Sequence, residues 1–163
     1  MDNKKILQDL LNMLKDVNPF SRKQAIKLLE KRGNKSVLPA LIDVLLNDSD
    51  SIVRHAAAQA FQKKLADRSI GPALIKALKD PDMYVRGAAA AALGIIKDKT
   101  AVSELCLALE DKEAHVRWAA AIPLGKIGDA SVIPALKKLL NNPGEPGNVR
   151  IAAKEALAQL ENK

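Results

Sequence analysis

The sequence predicts an all-α fold in which about ten antiparallel helices stack side by side as a solenoid. Three observations predict it. The chain is 48% hydrophobic but only 2% aromatic, which favours helices packed through Ala, Leu, Ile and Val. Apolar residues recur with helical spacing. One segment also repeats every 31 to 33 residues, and it is marked by Arg22, Arg54, Arg86, Arg117 and Arg150.

Each period contains two helices, and the whole chain 1–163 is expected to be one array. The predicted units are a half-repeat 1–16, the repeats 17–48, 49–80, 81–111 and 112–142, and a C-terminal capping helix 143–163.

The first helix of each period carries the arginine and is rich in alanine. In the stretch VRGAAAAALGII the residues Val85, Ala89, Leu93 and Ile96 fall on one stripe. Alanine favours helix and lets neighbouring helix axes approach closely. Pro123 occupies an interior position of one such helix, where it predicts a kink near Trp118.

The second helix of each period is marked by leucines and by start signals. Three of these helices have a proline in the first turn, namely Pro39, Pro72 and Pro134. The expected N-caps are the hydroxyl residues Ser36, Ser69, Thr100 and Ser131.

An aspartate stands six residues before four of the five arginines. These aspartates are Asp16, Asp48, Asp80 and Asp111, whereas the fifth period has Gly144 in that place. Recurrence in every repeat indicates a structural role, with pairing either inside a repeat or to the next one.

The segment DPDMYVRGAAAAALGIIKD, the segment SIGPALIKALKD and their cognates resemble the HEAT-like repeats of the phycobilisome-lyase type over essentially the whole chain. The resemblance implies a right-handed superhelix with the second helices on its concave side. It also implies that the recurring Asp and Arg residues form a structural ladder of ion pairs. The partner of Arg150 in this ladder is not specified, because Gly144 stands at the aspartate position. It implies no single activity, because members include scaffolds, bilin-attachment proteins, an iron hydroxylase and DNA-binding enzymes.

Charge and cysteine content restrict the function classes. The net charge is +7, and residues 1–35 hold nine Lys/Arg against four Asp/Glu. This basic end leaves weak, sequence-independent nucleic-acid binding open as an alternative. The single Cys106 forms no internal disulfide, and no apolar run is long enough for a membrane span. A cytoplasmic location is expected.

No catalytic or metal constellation is visible, so we expect a non-enzymatic protein without a cofactor. His55 and His115 occupy different repeat positions, and the chain lacks the His-Glu dipeptides that a di-iron hydroxylase would need. Cys106 falls on an apolar position and is expected to be a buried structural thiol. A Cys106–His115 nucleophile is not excluded by sequence distance, but no third orienting group is apparent.

Two surfaces are candidates for binding another protein. On the second helices, Leu107 is expected to be exposed among the charged residues Lys76, Glu104, Glu110 and Lys138. On the first helices, Trp118 and Ile151 each directly follow an arginine. They are expected to lie exposed in adjacent repeats, near Ile122. There Trp118 either folds over Ile151 or forms part of a binding patch.

The sequence thus predicts a protein-binding scaffold or adaptor, either monomeric or weakly self-associating. A bilin-lyase-like enzyme subunit and the nucleic-acid binder are the alternatives.

Overall fold

The computed structural model describes residues 3–162, and within them the chain folds as a right-handed α-α superhelix of ten helices. The five first helices, which carry the repeated arginines, are α2 (Pro19–Arg32), α4 (Ser51–Ala60), α6 (Met83–Ile96), α8 (Ala114–Ile127) and α10 (Gly147–Glu161). The five second helices are α1 (Asn3–Met13), α3 (Leu38–Asn47), α5 (Gly71–Ala77), α7 (Val102–Ala108) and α9 (Ile133–Asn141). Among these helices, none has the length and apolarity needed to cross a bilayer.

Short polar side chains cap three of the five first helices, α2, α4 and α6. The side chains of Asn18, Asp50 and Asp82 accept hydrogen bonds from the backbone N–H two residues later, in extended N-cap geometry. Left-handed glycines end two of these helices: Gly33 ends α2 and Gly128 ends α8. These signals lie in the sequence itself, so the helix boundaries are set locally.

The starts of the second helices differ from the expected hydroxyl caps. A three-residue 3₁₀ turn precedes each of α3, α5, α7 and α9. The side chains that cap these turns are Asn34, Asp67, Asp98 and Asp129. The predicted caps Ser36, Ser69, Thr100 and Ser131 instead donate their backbone N–H to these side chains. The prediction was wrong by two residues because an acidic or amide side chain outcompetes a hydroxyl as acceptor at the turn.

A continuous apolar core runs between the two helix layers. Fully buried leucines of the second helices, such as Leu41, Leu74, Leu105 and Leu136, alternate with buried alanines of the first helices. Each buried leucine contributes roughly 1.5–3 kcal/mol. No single helix pair encloses such a core, so the repeats are stabilised by stacking.

The first helices α6, α8 and α10 approach one another very closely. A Cβ atom built on Gly94 would lie 2.6 Å from Cβ and 2.8 Å from Cα of Pro123, and one built on Gly125 would lie 2.7 Å from Cα of Ala156. The backbones therefore meet where only glycine fits. Pro123 lies inside α8, which continues past it to Ile127 as one unbroken helix.

Candidate partner-binding surfaces

A row of guanidinium–carboxylate pairs links the first helices α2, α4, α6 and α8 each to the loop that follows the next second helix. Arg22 donates from Nε and from Nη2 to the two carboxylate oxygens of Asp48, at 2.7 Å each. The partner therefore lies 26 residues ahead of the arginine, not six residues behind it. The same bidentate geometry, at 2.8–2.9 Å, recurs in Arg54–Asp80 and Arg86–Asp111.

Both members of each pair have further hydrogen bonds. Arg22 Nη1 donates to the backbone carbonyls of Asp16 and Val17, at 2.9 and 3.1 Å. Asp48 also accepts the backbone N–H of Asp50 at 2.9 Å. Burial alone would raise the pKa of Asp48, but the hydrogen bonds from Arg22 and Asp50 outweigh it and hold the pKa below its ordinary value. These buried charges are thus fully satisfied, as structural pairs need to be.

The fourth rung uses a residue that the sequence spacing does not reveal. Where Gly144 replaces the expected aspartate, the neighbouring Glu145 accepts from Arg117 Nε and Nη2 at 3.0 and 2.8 Å. The extra residues of the loop NNPGEPG move the carboxylate to 28 residues after the arginine, and the longer glutamate side chain still reaches it. Asp16 and Arg150 stand at the two ends of the row and form no ion pair within residues 3–162.

The second-helix face is polar apart from one leucine. Leu107 on α7 is 65% exposed. Lys138 Nζ lies 2.9 Å from Glu110 Oε1, and both side chains are largely exposed, so this ion pair contributes little to stability. Lys76 is exposed on α5, and the Glu104 carboxylate accepts from the Ser103 hydroxyl at 2.5 Å. That hydrogen bond lowers the pKa of Glu104.

A cavity of about 460 Å³, the second-helix groove, lies between α7 and α9. Its walls include Glu110, Lys138, Arg117, Glu145 and the half-buried Cys106. Burial raises the pKa of the Cys106 thiol, and the nearby Asp129 raises it further. The thiol is therefore neutral at pH 7, which makes it a poor nucleophile.

A second cavity of about 370 Å³, the first-helix groove, is lined by α4, α6 and α8. Its alanine and glycine positions, Ala88, Ala91, Gly94 and Ala119, carry short side chains. Larger apolar residues, Ile95, Ile122 and Pro123, also line it, and Lys126 is the charged residue among the described groove residues. This combination of apolar surface with a few polar groups is typical of binding sites.

Four rings from three successive first helices form a row along the first-helix groove. Ring centroids are 6.1 Å apart between His55 and Tyr84, 5.4 Å between Tyr84 and His115, and 5.8 Å between His115 and Trp118. These separations fall in the range of favourable aromatic contacts. Gly87 makes the row possible, because a Cβ there would lie 2.7 Å from His115 Nε2.

The pKa of one histidine in this row of rings is shifted. Burial lowers the pKa of His55 below its ordinary value, although the carboxylate of Asp82 opposes the effect. The His55 side chain that lines the groove is therefore a neutral imidazole at pH 7, which can donate one hydrogen bond and accept another.

Of the three residues that we grouped on the first helices, two line the first-helix groove. Trp118 and Ile122 line the first-helix groove, where Trp118 contacts His115. Ile151 lies outside this groove and is 58% exposed. The ring row was missed because its members stand at two different positions relative to the arginines: Tyr84 and His115 come two residues before, His55 and Trp118 one residue after. Aligning both positions would have revealed it.

The candidate nucleophile is not assembled. Cys106 lines the second-helix groove, whereas His115 lines the first-helix groove on the other layer. Within the described residues, no group of three or more His, Cys, Asp or Glu side chains is placed to hold a metal ion.

The family of the chain follows from this repeated geometry and from a match to the HEAT repeat model over residues 1–62 and 71–158. The chain belongs to the HEAT repeat family. A 71-residue stretch is 41% identical to phycocyanobilin lyase subunit alpha of Nostoc sp., covering 40% of this chain and 25% of that protein. The chain thus aligns with about a quarter of that relative's length.

Solved structures share the fold over nearly the whole chain. The complex of CpcE and CpcF of phycocyanin lyase from Nostoc sp. matches with a TM-score of 0.84 and 30% identity, over 96% of this chain and 65% of that one. Human deoxyhypusine hydroxylase matches with a TM-score of 0.64 at 20% identity, over 99% and 75%. A designed armadillo repeat protein in complex with a (KR)4 peptide matches with a TM-score of 0.69 at 21% identity, over 94% and 81%. The last two, at such identities, show the fold alone.

Proposed function

We propose that the chain is a non-enzymatic scaffold that binds another protein through the first-helix groove. One observation carries this proposal: the row of rings ending at the partly exposed Trp118 lies along an apolar groove of about 370 Å³. Aromatic side chains beside small ones offer a partner's apolar side chains both contact area and depth. The similarity to a CpcE and CpcF complex supports a protein as the partner.

The second-helix face is the weaker candidate for the same role. Its exposed apolar surface is the isolated Leu107, and isolated exposed leucines are common on soluble proteins. Its charged residues are partly engaged with one another, as in the Lys138–Glu110 pair. A partner would have to break such pairs, which lowers the net gain on binding.

The test compares the two faces directly. Immobilised wild-type protein, Trp118→Glu and Leu107→Glu are used to capture proteins from the native cell extract, and captured proteins are identified by mass spectrometry. A true partner is retained by wild type and by Leu107→Glu but lost with Trp118→Glu. It is then purified, and its binding to the three forms is measured by calorimetry. A partner retained by Trp118→Glu but lost with Leu107→Glu would overturn the choice of groove.

A bilin-lyase-like subunit is the second candidate, favoured by the 41% identity to phycocyanobilin lyase subunit alpha. Trp118 is the only tryptophan of the chain, so its fluorescence reports on the first-helix groove. Under this alternative, free phycocyanobilin quenches Trp118 fluorescence at saturating, micromolar-range concentrations, and Ile122→Glu abolishes the effect. Under the scaffold proposal, quenching by phycocyanobilin is no greater in wild type than in Ile122→Glu.

A further inference from the structure

The first-helix groove has two rims of different chemistry. One rim is the row of rings, whose last member is Trp118 on α8. The opposite rim, the lysine rim, consists of the residues nine positions after the repeated arginines of α2, α4, α6 and α8, namely Lys31, Lys63, Ile95 and Lys126. Ile95 and Lys126 line the groove itself. Lys63 lines an adjoining cavity of about 350 Å³, and Gln59 lines both cavities. A positive charge thus stands on either side of an apolar centre.

The lysine rim has charge available for a partner. Lys126 is exposed and forms no ion pair within residues 3–162. Lys63 Nζ lies 3.3 Å from Glu30 Oε1, but 64% of the Lys63 side chain is exposed, so this ion pair is weak. Among the described residues, no carboxylate lines the groove. A partner that places acidic side chains at this rim therefore meets positive charge without opposing negative charge.

The distance between the two rims fits an α-helix. Trp118 and Lys126 stand eight positions apart on α8, which corresponds to about 12 Å along the helix axis. An α-helix with its side chains is about 10–12 Å wide. The floor between the rims includes the short side chains of Ala88, Ala91 and Ala119. A helix laid across α4, α6 and α8 can therefore approach this floor closely.

The polar groups of the groove favour a helix over an extended segment. An extended segment needs hydrogen-bond partners for its backbone N–H and C=O groups. The Gln62 side chain is already engaged, since its Nε2 donates to the backbone carbonyl of Ala88 at 2.9 Å. The floor consists mainly of Ala, Gly and Ile residues. A helix satisfies its own backbone groups and needs only apolar side chains on the face that it buries.

The arrangement of rings and lysines disfavours single-stranded nucleic acid as the occupant. Neighbouring rings lie 5.4–6.1 Å apart and are tilted by 32–55°, so they contact one another and leave no parallel gap for a base. A nucleic-acid backbone also carries one charge per nucleotide, whereas Ile95 interrupts the lysine rim between Lys63 and Lys126. An apolar centre with charge on either side instead fits a protein segment that is apolar on one face and acidic at its edge.

We propose that the first-helix groove binds an amphipathic helix of its partner that is acidic along one edge. The apolar face of that helix packs between the row of rings and the lysine rim, and its acidic side chains pair with Lys63 and Lys126. These lysines belong to repeats two helix spacings apart, roughly 16–20 Å. The acidic residues are therefore expected roughly 11–14 positions apart, at about 1.5 Å per residue. The helix occupies the same groove as in the proposed function, on which this inference rests.

Binding of two designed helical peptides to the 163-residue chain tests the proposal. Both peptides have about 18 residues and the same Leu and Ala face, and their polar faces carry either Glu or Lys. Fluorescence anisotropy of the labelled peptides measures their affinities from about 1 µM to about 1 mM. We expect the Glu peptide to bind at least about tenfold more tightly than the Lys peptide.

Reversing the charge of the lysine rim is expected to reverse this preference. To the double variant Lys63→Glu, Lys126→Glu, the Glu peptide binds at least about tenfold more weakly than to wild type, and the Lys peptide binds more tightly. The matched control is Lys79→Glu, Lys137→Glu, which makes the same charge change at exposed residues outside the groove. This control keeps the wild-type preference if the rim, and not the net charge, selects the peptide. An equal loss in both double variants overturns the proposal.

Variants of the apolar surface separate this inference from the proposed function. Ile122→Glu and Trp118→Ala are each expected to abolish binding of the Glu peptide, and circular dichroism checks that both remain folded. Equal binding of the two peptides that is lost in these variants would overturn the acidic helix but keep the groove. Binding that both variants retain would contradict the groove as well. No binding below about 1 mM, or tighter binding of an oligo(dT) of about twelve nucleotides, would overturn the acidic helix and leave the groove to the capture experiment.

Discussion

The first-helix and second-helix layers of this array are built from different side chains and present different surfaces. The first helices are rich in Ala and Gly, and α6, α8 and α10 approach closely enough that Gly94 contacts Pro123 directly. The second helices bury leucines toward the core and expose charged residues such as Lys138. Small residues fill the contacts between neighbouring first helices, so the rings beside these contacts line the first-helix groove. The second helices instead bury their leucines in the core. Composition within each layer thus decides which face exposes aromatic and apolar side chains.

The largest effect expected from this comparison concerns the ladder, which ties the two layers together. Arg86→Ala leaves the carboxylate of Asp111 partly buried without its partner, which costs roughly 3–5 kcal/mol of unfolding free energy. Lys138→Ala removes an exposed pair on the second-helix face and costs at most about 1 kcal/mol. Urea unfolding followed by circular dichroism measures both. Equal losses would mean that the ladder is no more important than a surface pair.

A smaller effect is expected at the close contact within the first-helix layer. Gly94→Ala favours helix but puts a methyl group 2.6 Å from Pro123, and overpacking of this kind costs roughly 1–3 kcal/mol. Gly147→Ala is the control, because nothing lies within 4 Å of its added Cβ. The two unfolding free energies are compared under the same conditions. If Gly94→Ala is as stable as Gly147→Ala, helices α6 and α8 are packed less closely at Gly94 and Pro123 than the structure indicates.

The smallest expected effect is a pH dependence of the unfolding free energy, which His55 contributes on the first-helix face only. Because burial holds the pKa of His55 below its ordinary value of about 6.5, the unfolded chain takes up the proton first as pH falls. Stability contributed by neutral His55 is thus present above about pH 6.5 and is lost as pH falls toward the folded-state pKa. Since the imidazole is only half-buried, the loss is well under about 1 kcal/mol.

His55→Gln removes this component, so its unfolding free energy changes less than that of wild type between about pH 7.5 and 5. Leu107→Gln on the second-helix face is the matched control and keeps the wild-type pH dependence. Identical pH profiles for wild type and His55→Gln would show that the groove does not desolvate this histidine.

Much of the architecture was predictable because it repeats. The arginine period, the apolar stripes and the prolines predict about ten helices from local signals, and the described residues form ten. Details that depend on an insertion or on contact between neighbouring repeats were not predictable. Glu145 replaces an aspartate only because the preceding loop is longer, and the ring row joins residues about 30 positions apart. Sequence spacing within one helix carries no sign of either.

The most direct test of the central claim, that the first-helix groove is the binding face, is amide hydrogen exchange with and without the identified partner. We expect the partner to slow exchange in residues 87–95 of α6 and 115–126 of α8, and to leave α7 (Val102–Ala108) unchanged. Slower exchange in α7 and the neighbouring second helices, with α6 and α8 unaffected, would contradict the claim.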